Sequence, residues 1–132
     1  MNFLAAKIVA IESVESLHRV TLELSQSIVS LISLELSPKL TLGTEVSLHI
    51  KPTNVLLAKE LPSKLSVANQ LPCTIASIHQ GKILTSIKLS YGDFVFESIV
   101  TSHMLQKLDL NLGDQVYALI NESDLSLREM EQ

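Results

Sequence analysis

The chain repeats itself. Sliding the sequence along itself by 67 positions brings Asn2 onto Asn69, Leu4 onto Leu71, Ile8 onto Ile75 and Ile11 onto Ile78. Near the end of each half an offset of 70 brings Gly43 onto Gly113, Val46 onto Val116, Ile50 onto Ile120, Thr53 onto Ser123 and Leu57 onto Leu127. The drift of three residues needs only small loop insertions, so "LTLGTEVSLHIKPTNVLL" and "LNLGDQVYALINESDLSL" read as one segment written twice. Internal repetition outranks local propensity as a guide to architecture, and it requires both halves to adopt the same small unit. A unit of this size buries only about 60% of its extended-chain surface. Apolar residues make up 46% of the 132, so aliphatic surface is left over for the partner unit and for other subunits.

Within each half the apolar positions alternate, as in half-buried strands: Val20, Leu22 and Leu24; Val46, Leu48 and Ile50; Val116, Ala118 and Ile120. Ser, Thr, Val and Ile dominate these runs, as β structure prefers. The stretch "TSHMLQKL" breaks the alternation. Thr101 or Ser102 can cap a short helix there, with Met104, Leu105 and Leu108 at helical spacing. The matching place in the first half, "SLELSPKL", carries Pro38 and reads as a shorter turn. The expected fold is all-β: two tandem OB-like β-barrels, residues 1–61 and 65–132, each with one short helical turn between its third and fourth strands.

Composition removes several function classes. Ten Lys plus Arg against fourteen Asp plus Glu give a net charge of -4, whereas a nucleic-acid partner calls for a basic face. An OB barrel that handles single strands also needs aromatic platforms, and the chain has two Tyr, three Phe and no Trp. Phe94 and Phe96 alternate along one strand, a pattern more typical of core or interface packing. No apolar run reaches the roughly 18 residues of a membrane span. The opening "MNFLAAKIVAIESVES" lacks the marks of a secretory signal, so the cytoplasm is the expected location. Cys73 stands alone, which excludes an intrachain disulfide and a multi-cysteine zinc site; its expected role is a small buried hydrophobe. His18, His49, His79 and His103 show no metal-ligand spacing, and His49 reads as a solvent-facing strand residue. No phosphate loop, nucleophile elbow or other catalytic constellation is present, so the chain is read as a non-enzyme without an organic cofactor.

Polar residues at strand ends remain: Ser66 and Asn69 before one strand, Thr101 and Ser102 at a helix start, Lys51 and Thr53 after another strand, and Asn121 and Ser123 after its twin. Apart from Asn these groups carry no carbonyl acceptor. Clustered with free backbone N–H groups they suit a ligand that only accepts hydrogen bonds, such as a fully deprotonated tetrahedral oxyanion. Hydrogen phosphate would bring a proton that such a cradle cannot receive. The plain alternative is that they are ordinary turn formers and caps.

The blocks "LSVANQLPCTIASI" and "VTSHMLQKLDLNLGDQVYALINESDLSL" resemble the Mop domain of the molbindins, and "IKPTNVLL" matches its closing segment in the first half. The resemblance covers practically the whole chain as two tandem copies, similar to the free-standing tandem-repeat molbindins. It implies OB-like barrels, closed homo-oligomers with a trimer favoured, and molybdate or tungstate bound between barrels, with no protein side chain ligating the metal directly. In that family a Ser-Ala-Arg-Asn segment wraps the oxyanion with backbone N–H groups and a hydroxyl. Carried over, Ser66, Val67, Ala68 and Asn69 form the segment, Thr101 and Ser102 add hydroxyls and N–H groups, and Lys51 supplies a positive charge beside Thr53, with Ser123 at the twin position.

Departures from the pattern matter as much. Ala68 stands where the family has arginine, Asn121 where it has lysine, and the first repeat opens at Met1-Asn2 with no Ser-Ala-Arg before it. A full set of binding groups needs Ser66 and its neighbours beside Lys51 from the other repeat, so fewer or weaker sites are expected than two complete repeats would give. The resulting functional reading is an intracellular protein that binds molybdate or tungstate for storage, homeostasis or delivery. The alternative is an oligomerisation or interaction module of the same fold whose ligand site has degenerated.

Overall fold

The structure is a computed structural model and describes residues 1–130. Ten strands form two five-stranded sheets. The first half supplies β1 (Asn2–Val14), β2 (Leu17–Leu24), β3 (Ser27–Ser33), β4 (Glu45–Ile50) and β5 (Leu56–Ala58). The second supplies β6 (Asn69–Gln80), β7 (Leu84–Tyr91), β8 (Phe94–Thr101), the helix α1 (Ser102–Lys107), β9 (Gln115–Ile120) and β10 (Ser126–Glu129). The alternation seen in sequence is the burial pattern: Val20, Leu22, Leu24, Val46, Leu48, Ile50, Val116, Ala118 and Ile120 are all buried. Phe96 joins them and Phe94 packs against them. Thr101 caps α1, its hydroxyl accepting the Met104 N–H at 3.2 Å. The first half has a turn at Pro38–Lys39 in the place of that helix.

The duplication extends to irregular features. β1 and β6 each slip register in their pairing with the next strand, at Ile8/Ala10 and at Ile75/Ser77. This bulge lets one long strand pair first with β4 or β9 and then with β2 or β7. Gly43 and Gly113 sit at φ +89° and +87° and donate their N–H groups to Ile8 and Ile75 respectively, at the bulges. A side chain at either position would strain the backbone.

The halves repeat in sequence, but the sheets are bounded elsewhere. The strand orders are β10-β4-β1-β2-β3 and β5-β9-β6-β7-β8. Each half therefore gives its last strand to the other sheet: residues 56–58 pair with β9, and residues 126–129 pair with β4. The crossing is made by matching 3-10 turns, Pro52–Asn54 and Glu122–Asp124. The exchange is symmetric in register, since His49 faces Ser126 and its repeat-equivalent Leu119 faces Leu56.

Further ties join the halves. β3 and β8 are outermost in their sheets and expose unpaired backbone. Asn69 braces β3 through its side-chain amide, its oxygen accepting from Ser30 N at 2.8 Å and its nitrogen donating to Ser30 O at 2.9 Å. Asn2 does the same to the equivalent residue of β8, accepting from Glu97 N at 2.8 Å and donating to Glu97 O at 2.7 Å. The Tyr91 hydroxyl donates to Leu24 O at 2.8 Å, and Ser98 to Val55 O at 2.7 Å. Buried aliphatic side chains of both halves form one cluster.

Candidate functional site

The strand exchange creates a mixed corner. β4 ends at Ile50, and Lys51 follows in extended backbone (φ −69°, ψ 135°), so it continues the alternation of the strand and shares a face with His49. The turn Glu122–Asp124 arrives from the second sheet to start β10, which runs beside β4. Lys51, His49, Asn54, Ser123, Asp124 and Ser126, with Met1, line a cleft of about 280 Å³ here. Two residues expected at the site, Lys51 and Ser123, therefore meet although they come from different repeats.

His49 was read from the sequence as solvent-facing, and the structure corrects this. It is 9% exposed, because β10 covers one side and the Phe3 ring meets it edge-on at 4.5 Å. Burial holds its pKa below the ordinary imidazole value, and the nearby Arg128 charge adds to the effect.

The remaining expected residues lie elsewhere. Thr53 and Thr101 share a separate apolar groove of about 240 Å³ with Val55, Val100, Met104 and Leu108. Ser102 is buried, and its groups face inward. Its N–H donates to Ile83 O at 2.7 Å, and its hydroxyl bonds Thr85 Oγ1 and Gly81 O, both at 2.8 Å. Ser66, Val67 and Ala68 precede β6 outside any strand, with Ser66 and Ala68 exposed and Val67 O accepting from Gln70 Nε2 at 3.0 Å. Both polar atoms of the Asn69 side chain are committed to Ser30. Asn69 is registered with Ile120, so the Ser66–Ala68 segment runs toward Asn121, whereas Lys51 follows Ile50, which is registered with Asn2. Within one chain the small-residue segment and the lysine thus occupy equivalent corners of opposite sheets.

Those corners differ in charge. By repeat equivalence the counterpart of His49 is Leu119, that of Lys51 is Asn121, that of Ser123 is Thr53 and that of Ser126 is Leu56. Of these equivalent pairs, the ionisable bases Lys51 and His49, matched by Asn121 and Leu119, belong to the first corner. Glu122 would set a carboxylate beside it, but Ser30 Oγ donates to Glu122 Oε2 at 2.7 Å and Arg19 Nε donates to the same atom at 2.9 Å. The Ser30 hydroxyl bond, reinforced by Arg19, holds the Glu122 pKa below its ordinary value. Sequence reading missed His49, Arg19 and Glu122. The first was detectable from its i, i+2 spacing to Lys51; the ion pair was not, because its partners are 103 positions apart. A larger cleft of about 400 Å³ holds Lys59, Cys73 and Tyr117. Lys59 is engaged there by Asp114 at 3.4 Å and by Asp109 O. Burial pushes the Cys73 thiol up to about 12, as suits an unreactive core residue. Among the described residues no group of three or more His, Cys, Asp or Glu could hold a metal ion, and no helix is long and apolar enough to cross a membrane.

Residues 65–127 match the TOBE domain. A curated relative, the molybdenum import ATP-binding protein ModC of Vibrio parahaemolyticus, is 29% identical over 94 residues, covering 66% of this chain. The match spans a quarter of that protein's length. Among solved structures, the cytoplasmic molybdate-binding protein ModG, in a form with molybdate bound, superimposes with a TM-score of 0.91 at 24% identity, covering 98% of this chain and 96% of that one. A molybdate binding protein from Sporomusa ovata aligns over 52% of this chain and 98% of its own at 28% identity, with a TM-score of 0.46. The resemblance to tandem Mop proteins read in the sequence is borne out at the level of similarity: the second half matches the TOBE domain, and the paired OB-like fold is that of ModG.

Proposed function

We propose that this chain, a pair of OB-like barrels whose second half matches the TOBE domain, reversibly binds molybdate or tungstate in the cytoplasm, for storage, homeostasis or delivery. The observation that carries the reading is the cleft at the exchanged strands, where Lys51 and Ser123 converge from different repeats. An ammonium and a hydroxyl beside the first turn of a crossing segment can donate to a small dianion in a protein that is acidic overall. The names of ModC and ModG point to the same ligand.

Ser66–Ala68 and Lys51 occupy different corners within one chain, so a complete set of donors assembles only where the small-residue corner of one copy meets the Lys51 corner of another. The reading therefore includes a homo-oligomer, with a trimer favoured. No nucleic acid or membrane enters it.

Calorimetric titration of the protein with molybdate, with sulfate and phosphate as controls, tests the reading. Heat with molybdate and none with phosphate is the expected result. Silence with all three anions would leave the fold as an oligomerisation module. Replacing Lys51 by alanine removes a charged contact of about 1.5–3 kcal/mol, so molybdate affinity should fall by about one to two decades, with oligomer mass by light scattering unchanged. Unchanged affinity would take Lys51 out of the site.

A further inference from the structure

We propose that His49 is a second cationic donor to the oxyanion, acting beside Lys51. The proposal rests on the reading of this cleft given above. His49 and Lys51 are two residues apart on continuous extended backbone, so their side chains lie on one face of β4 and both line the cleft. Ser126 stands opposite His49 in register, and Ser123 closes the other side, so two potential positive charges and two hydroxyls face one space. In the equivalent corner of the other sheet the matching residues are Leu119, Asn121, Leu56 and Thr53, with no cation among them. One corner of the duplicated molecule has the donors for a dianion, and the other does not.

The charged groups around the imidazole come from each neighbouring element. Arg128 approaches from β10, Lys51 from the end of β4 and Asp124 from the 3-10 turn before β10, while Met1 lines the same space from the start of β1. The turn Pro52–Asn54 adds the neutral Asn54. Burial and then Arg128 both favour the neutral ring and hold the His49 pKa below the ordinary imidazole value. An anion within about 4–6 Å raises a histidine pKa by about 1–3 units, so binding and protonation reinforce each other. An imidazolium and an ammonium have no acceptor. Both therefore donate to an oxyanion, while Asp124 and Asn54 are the acceptors that line the same space.

The test is calorimetry with sodium molybdate at pH 8, 7 and 6, in two buffers of different ionisation enthalpy, on the full chain and on His49→Gln. For the unaltered protein we expect affinity to rise about tenfold from pH 8 to pH 6, with uptake of close to one proton per ion bound. His49→Gln should bind more weakly than the unaltered protein at pH 6, with no pH slope and no proton uptake. A second measurement avoids the variant: the NMR titration midpoint of the His49 ring protons should rise by about one unit or more when molybdate is added. A pH slope retained in His49→Gln, a flat profile in the unaltered protein or an unmoved midpoint would overturn the proposal while leaving molybdate binding intact. No heat from the unaltered protein at any pH would overturn the ligand reading, and this inference with it.

Discussion

At the scale of single residues, the most informative pair is Asn2 and Asn69. Each places a side-chain amide against the backbone of an edge strand and satisfies one N–H and one C=O, buried at Ser30 and partly buried at Glu97. An amide suits this task because it is both donor and acceptor, as a neighbouring strand would be. Asn69→Ala leaves the Ser30 N–H and C=O unpaired in a position with no easy access for water. A loss of about 2–3 kcal/mol in urea unfolding is expected. A loss below about 0.5 kcal/mol would mean that the brace carries no weight. The repetition of this asparagine was visible in the sequence, but its task was not. The residue it serves lies 39 positions away for Asn69 and 95 for Asn2, and alternation along a strand gives no information on which distant edge it reaches. The same limit kept Ser102 on the list of candidate ligand residues, since a hydroxyl at a helix start looks equally available whether it faces solvent or Gly81 O.

At the scale of elements, alternation marked β2, β4, β8 and β9, and helical spacing marked the capped helix after β8, because those depend on neighbours two to four residues away. It assigned β5 and β10 by repeat order alone, to barrels 1–61 and 65–132, and gave no sign that each pairs with the opposite sheet. Leu57 and Leu127 meet the demands of either sheet equally well, and the decision falls to the 3-10 turns that carry the chain across. One of these turns is latched: Glu122 accepts from Ser30 and Arg19 of the first sheet, whereas Pro52 at the matching position of the other turn has no such group. Because folding lowers the Glu122 pKa, its contribution is fully present above the ordinary carboxylate value and is lost as pH falls through the lowered one. Arg19 is half exposed, so solvent screening limits the ion pair. Glu122→Gln should cost about 1 kcal/mol at pH 7 by thermal or urea unfolding. The difference from the unaltered protein should shrink as the pH is taken below about 4. A difference that holds constant with pH would show that the carboxylate charge contributes nothing to the latch.

At the scale of the whole molecule, the surface is larger and greasier than a lone chain needs. It amounts to 8158 Å², against about 6,900 Å² expected of a monomer of this length. Exposed aliphatic residues recur at equivalent places in the two repeats: Leu17 with Leu84, Ile28 with Val95, and Leu42 with Leu112. Chance exposure has no reason to respect the repeat, whereas a face used by both barrels does. Ile28 and Val95 lie on β3 and β8, the outermost strands, where unpaired backbone beside β-branched side chains invites contact with another copy. Lysine at both positions keeps the strands' inward residues intact and places charge on the proposed seam. The double variant Ile28→Lys, Val95→Lys should retain its circular dichroism, drop to monomer mass in light scattering, and lose molybdate affinity along with the oligomer, because the proposed site joins the Ser66–Ala68 corner of one copy to the Lys51 corner of another. If the unaltered protein already scatters as a monomer and still binds molybdate, the donors must all come from one chain, and the separation of those two corners by the β-sheet register would then have to be bridged by movement of the segment before β6.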